Sequence, residues 1–169
     1  MVGNKMHDAL NKQVNAELFS AYLYLSMSAY FESINLTGCA NWMRVQAQEE
    51  MTHAMKLYDY VHETNGKVTL TAIDAPQSEW SSPLEVFEHV YKHEQKVTGL
   101  INDLMNLAVA EKDYATSNFL QWFVAEQVEE ESSANAIVHK IKLLGDARGA
   151  LFMLDRELGA RTSTPPAKE

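Results

Sequence analysis

The sequence predicts an all-α protein: a bundle of four long helices joined by two short turns and one long crossover, with a shorter fifth helix near the C-terminal end. Three observations carry that expectation. Gly and Pro are scarce, 7 and 4 in 169 residues, and, Gly99 and Gly149 apart, they fall at the ends of long segments rather than inside them. Through four of those segments apolar residues recur at alternating steps of four and three, the spacing that keeps side chains on one helix face. The stretch 66–81 is longer than a helix hairpin needs, so it can carry the chain back along the bundle and set the third helix parallel to the second.

Helix A is expected over about 5–33, ending in the polar turn around Asn35 to Gly38. Helix B follows over about 39–65, where Asn65 and Gly66 supply a C-terminal stop. In the crossover, Val68, Thr69, Leu70 and Thr71 are strand-like residues, but four are too few to anchor a sheet. Helix C has the best-marked start: Ser82 and Glu85 form a capping box around Pro83 at the first helical position, and the helix should end near Glu111. Asp113 caps helix D, which stops at Gly145. Helix E covers about 147–158. One domain, 1–161, is expected, followed by a loose tail over 162–169.

Composition bounds the function. The chain is 46% hydrophobic and 22% charged, ordinary for a protein with a packed core. Fourteen Lys and Arg against 23 Asp and Glu leave a formal charge of -9 with no basic cluster, so no nucleic-acid partner is expected, while cations would be drawn to the surface. Cys39 is the only cysteine, which excludes an intrachain disulfide and any Cys-rich metal site and suits a reducing compartment. The first residues lack an apolar signal core and no run reaches the ~18 apolar residues of a membrane span, so the protein is read as cytoplasmic, with no membrane partner.

The apolar stripes contain carboxylates. Helix A places Leu10, Val14, Glu17, Ala21, Tyr24, Ser28 and Phe31 on one seam, and Glu17 sits inside it. Helix B gives Met43, Ala47, Glu50, Ala54, Leu57 and Val61, with His53 one turn from Glu50. Helix C gives Phe87, Val90, Glu94, Val97, Ile101, Leu104 and Ala108. Helix D gives Leu120, Phe123, Gln127, Ala134, Ile137, Ile141 and Leu144, with Glu130 one turn from Gln127. Each helix therefore aims a ligand-type group at the core.

Residues equally far from the turn of an antiparallel hairpin stand at equal height. Glu17 and Glu50 are 33 residues apart and centred on the first turn; Glu94 and Gln127 are likewise 33 apart and centred on the second. The hairpins form a quasi-repeat offset by 77 positions, in which Glu17 maps to Glu94, Glu49 to Glu126, Glu50 to Gln127 and His53 to Glu130. The polar groups thus share one layer, roughly 25 Å from each turn at 1.5 Å per residue. Four carboxylates in a poorly solvated interior would each cost several kcal/mol or take up a proton. No Lys or Arg lies at a neighbouring seam position, whereas two divalent cations would cancel the charge, with Glu50 as bridge and His53 adding a nitrogen. Oxygen and imidazole donors without thiolates suit first-row transition metals, iron before manganese.

This pattern resembles the ferritin-like di-metal carboxylate proteins, in which two helices give one Glu each and two others give Glu-x-x-His. Gln127-x-x-Glu130 in place of the second Glu-x-x-His is similar to the non-haem bacterial ferritins, and the runs 48–54 and 126–131 are the specific parts. The resemblance implies a first ferroxidase iron held by Glu17, Glu50 and His53, a second held by Glu50, Glu94 and Glu130, and Gln127 close to both. It implies an additional iron site at Glu49, Glu126 and Glu129 with Glu130, and a role for Tyr24, one heptad after Glu17, in giving an electron or hydrogen bond to the centre. It further implies oxidation of Fe²⁺ by dioxygen or hydrogen peroxide, and ferric mineral deposited inside a 24-subunit shell.

The rest of the chain is read more plainly. His7, His62, His89, His93 and His139 lack a partner at helical spacing and are taken as surface or boundary residues. Met51 lies where a haem-binding methionine occurs in relatives that carry haem, but methionine also fills interfaces, and no haem is expected. Trp122 is read as packing. Helix E either closes its own bundle or makes a subunit contact. Two other readings stand beside iron storage: a di-iron oxidase or peroxidase without storage, which usually needs a Cys-rich module, and a structural bundle whose polar layer only sets register.

Overall fold

The computed structural model describes residues 2–145 and 148–163. Five helices follow one another: α1 (Asn4–Ser33), α2 (Thr37–Glu63), α3 (Pro83–Ala110), α4 (Tyr114–Leu144) and α5 (Arg148–Leu158). The start expected for the fifth helix at Ala147 lies outside the described residues, as do 164–169 of the expected tail; Thr162 and Ser163 are exposed. The α1–α2 and α3–α4 hairpins pack on each other to form the bundle, and the seam predicted on each of α1, α2 and α3 is buried throughout.

Local chemistry sets the ends of the helices. Asn35, Asn65 and Lys112 all take the left-handed conformation just past a helix, and in each case the next amide bonds back five residues: Leu36 to Phe31 at 3.0 Å, Gly66 to Val61 at 2.8 Å and Asp113 to Ala108 at 2.8 Å. Lys112 stands 77 positions after Asn35, so the quasi-repeat extends to the shape of its turns. Ser82 Oγ accepts from the Glu85 amide at 3.2 Å, but the Glu85 carboxylate reaches back to the Ser81 amide at 2.6 Å, one residue beyond the expected box. Asp113 caps α4 by accepting from the Thr116 amide at 3.1 Å.

The crossover contains no strand among the described residues and is fastened along α1 instead. Asn11 Nδ2 donates to the Lys67 carbonyl at 3.0 Å, and Asn11 Oδ1 accepts from the Thr69 amide at 2.7 Å. Asn15 Nδ2 donates to the Ala72 carbonyl at 3.1 Å, Ser26 Oγ donates to the Gln77 carbonyl at 2.7 Å, and Trp80 meets Tyr30 at the top. The connection therefore climbs the length of α1 before α3 begins, which makes α3 run parallel to α2.

Helix α5 docks on its own bundle. Leu154 and Leu158 join the apolar cluster at that end, and buried Asp155 accepts from the Cys39 amide at 2.8 Å, capping the start of α2 from a distant part of the chain. The fit requires glycine at position 38, where a Cβ would stand 1.7 Å from the Asp155 carbonyl oxygen. The apolar interior is thereby divided in two. One cluster, around Phe31, Met43, Phe87 and Ile137, fills the α5 end; the other, around Leu10, Leu57, Ile101 and Phe123, fills the opposite end. Between them lies the layer of acidic residues.

Candidate metal centre

Glu17 on α1, Glu50 and His53 on α2, Glu94 on α3, and Gln127 and Glu130 on α4 are all buried. One ligand atom from each of Glu17, Glu50 and His53 falls within a sphere where none is more than 4.8 Å from another, and the same holds for His53, Glu126 and Glu130. His53 is common to both groups. Its Nδ1 lies 3.5 Å from Glu50 Oε2, and its ring is held edge-on to Trp122 and Phe123, with centroids 5.3 and 6.1 Å away.

Each carboxylate is oriented by a neutral donor. Gln13 Nε2 donates to Glu17 Oε1 at 2.8 Å, while Glu17 Oε2 is buried with no hydrogen-bond partner among the described residues. Gln46 Nε2 donates to Glu130 Oε2 at 2.7 Å and to Glu50 Oε1 at 3.4 Å. The Tyr24 hydroxyl donates to Glu94, and Gln127 Nε2 donates to Glu94 Oε2 at 3.2 Å. A buried acceptor without a donor is costly, and the Glu17 carboxylate gathers with the Glu50 carboxylate and the His53 ring. Hard oxygen donors, one imidazole nitrogen and an orphaned acceptor fit a divalent first-row metal.

Burial pushes the Glu17 and Glu50 carboxyls well above the usual carboxylate range, with Glu50 raising Glu17, and Glu94 and Glu130 raising Glu50. Burial also raises Glu94, partly offset by its bonds from Tyr24 and Gln127, and lifts Glu130 to about 7, with Glu94 adding to the rise. Burial, then the nearby Glu94 charge, raises the Tyr24 phenol, which therefore stays protonated at neutral pH. The layer favours protons or cations at the expense of bare charge.

The outer residues are arranged less simply than the spacing suggests. Glu94 faces Tyr24 and Gln127 and belongs to neither ligand group, whereas Glu126 approaches His53 and Glu130. Glu129 is exposed, and Glu49 is half-buried with its carboxylate bonded to Arg161 at 2.5 Å. Mutually repelling carboxylates turn towards whichever donors are in reach, so equal height does not by itself bring them to one point.

Four polar residues escaped the sequence reading. Gln13 and Gln46 each precede a seam glutamate by four residues, and this doubled Gln-x-x-x-Glu spacing was a usable signal. His93, expected at the surface or a boundary, is buried: its Nε2 lies 2.8 Å from Ser20 Oγ, and burial lowers its pKa to about 4. Val86 and His93, each beside a seam residue, widen the buried face of α3. Arg161 left no signal, because it lies beyond the last helix.

The family model for the ferritin-like domain matches residues 7–144. The chain belongs to the ferritin family. It is 48% identical to the bacterial non-heme ferritin of Bacteroides fragilis, across 95% of this chain and the whole of that one, and 42% identical to the bacterial non-heme ferritin of Escherichia coli, across 94% and 96%. Among solved structures it is similar to an open pore ferritin from the hyperthermophilic archaeon Archaeoglobus fulgidus, with 58% identity and a TM-score of 0.95 over 96% of this chain and all of that one. In a ferritin, a buried carboxylate and histidine cluster of this kind supports di-iron ferroxidase chemistry, with Fe²⁺ as substrate. Among the described residues no helix is long and apolar enough to cross a membrane.

Proposed function

We propose that the protein is a cytoplasmic iron store that oxidises Fe²⁺ at the buried layer and deposits the ferric product inside a 24-subunit shell of its own copies. The observation that carries this reading is the orphaned oxygen of Glu17, whose carboxylate gathers with Glu50 and His53 in a layer of four buried carboxylates. Glu17, Glu50 and His53 hold one Fe²⁺ substrate ion; Glu50, Glu94 and Glu130 hold the second, with Gln127 close to both.

Carboxylates favour Fe³⁺ over Fe²⁺, so ligation makes each ion a better reductant. Two Fe²⁺ give two electrons to one O₂, which with two protons becomes hydrogen peroxide; with peroxide as oxidant, two electrons and two protons give two waters. Tyr24, bonded to Glu94, stands where it can supply a further electron or steady the carboxylate. Glu49, Glu126 and Glu129 with Glu130 form an outer position that receives iron on its way from the centre.

Crystals soaked anaerobically in Fe²⁺ test the assignment. Two anomalous peaks within about 4 Å of each other, between Glu17, Glu50, Glu94 and Glu130, are expected. An empty layer would leave a structural bundle as the better reading. Light scattering separates a 24-subunit shell from a small oxidase.

A further inference from the structure

Among the described residues one guanidinium reaches the acidic layer, and it comes from the segment that follows α5. Arg161 Nη1 donates to Gln46 Oε1 at 2.7 Å and Nη2 to Glu49 Oε2 at 2.5 Å, while the guanidinium carbon lies 4.5 Å from the centre of the Trp42 ring. Asn41 Nδ2 donates to the Arg161 carbonyl at 3.0 Å and fixes the backbone. With its carbonyl oxygen taken by Arg161, the Gln46 amide must turn its NH₂ inward, and that group holds Glu130 and Glu50. A single side chain thus neutralises an outer carboxylate and orients the donor of two inner ones.

The pair is partly open to solvent. Arg161 and Glu49 side chains are 24% and 22% exposed, too wet for a locked buried ion pair and too dry for full screening. A divalent ion competes for the same carboxylate with twice the charge. Glu126 already gathers with His53 and Glu130, whereas Glu49 is engaged by Arg161.

We propose that Arg161 is the resting occupant of the Glu49 carboxylate, a tethered cation that a metal ion must displace to fill the outer position, and a positioning residue for Gln46. Displacement releases the Gln46 amide, so filling the outer position loosens the grip on Glu130 and Glu50. This rests on the reading of Glu49, Glu126 and Glu129 as metal ligands given above.

The test uses Zn²⁺, which has no redox chemistry, titrated calorimetrically into the metal-free full chain. The native protein should show two tight steps and a weaker third. Arg161→Gln should tighten the third step about tenfold, well beyond any change that the freed Gln46 amide brings to the first two, and Arg161→Lys, which keeps the charge, should return it close to the native value. Trp42 gives an independent readout: the third equivalent should change its emission as the guanidinium leaves the ring, and Trp42→Phe should abolish that change. A third step unaltered in Arg161→Gln, with Trp42 emission constant, overturns the proposal. If Arg161→Gln does not fold, the Trp42 response of the native chain decides alone. Two tight steps with no third in either native chain or variant refute instead the outer-ligand reading, and the proposal with it.

Discussion

Glu130 offers a test of whether burial controls the charge of the layer. Its carboxyl is lifted from an ordinary 4.5 to about 7 by burial and then by Glu94. Between those values the folded chain holds a proton that the unfolded chain has released, so stability is complete at low pH and falls as pH rises through the window. At about 1.4 kcal/mol per tenfold change in proton affinity, the loss is about 3 kcal/mol. His93 acts in the opposite sense over nearly the same range. Its pKa falls from 6.5 to about 4, so its contribution is complete at high pH and is lost on acidification. The native chain alone adds these two to the raised Glu17, Glu50 and Glu94, so the informative quantity is a difference. Metal-free native protein and Glu130→Gln are unfolded in urea at steps from pH 4.5 to pH 7.5, where the His93 contribution cancels between them. The variant should gain about 3 kcal/mol on the native chain across that range. A difference that stays level with pH would show that Glu130 is as well solvated as a surface carboxylate, and the charge argument for the metal centre would fail with it.

Other perturbations separate the roles of the remaining residues. Glu50→Ala should abolish both tight metal steps and fast Fe²⁺ oxidation, whereas Glu129→Ala should spare the first turnover in stopped-flow traces and slow later ones; equal losses would contradict the division between inner and outer positions. Tyr24→Phe should leave two tight Zn²⁺ sites and slow oxidation, while a fall in the number of sites would make Tyr24 a positioning residue for Glu94. His93→Gln should remove the acid-side loss of about 3 kcal/mol, visible in urea midpoints between pH 6.5 and pH 4. Gly38→Ala should destabilise the fold by roughly 1–3 kcal/mol through overpacking against Asp155 and should weaken the Arg161 contacts, so its calorimetric third step should resemble that of Arg161→Gln.

The helices and their inward carboxylates were legible because burial follows the period of a helix, and Glu17, Glu50 and Glu94 interrupt otherwise apolar seams. The left-handed residues at Asn35 and Asn65 could be read from turn chemistry, but Lys112 could not, since lysine has no special liking for that conformation. Heights were legible as well; directions were not. The turn of Glu94 towards Tyr24 and the approach of Glu126 to His53 depend on side-chain donors that spacing does not rank. Arg161 and Asp155 act across more than a hundred residues of chain, joining the C-terminal region to Glu49 and Cys39, and contacts of that range leave no periodic trace.

The offset of 77 positions makes the bundle two copies of one hairpin, yet the copies differ where it matters: His53 faces Glu130 across the pseudo-symmetry, and Glu50 faces Gln127. Broken symmetry of this kind makes the two cargo positions unequal from the outset. If the ligands divide as proposed, the half built on α1 and α2 offers a nitrogen and two acids, while its counterpart borrows Glu50 and makes do with an amide. On that assignment the first half fills before the second as Fe²⁺ is added, an order that stepwise titration reads directly.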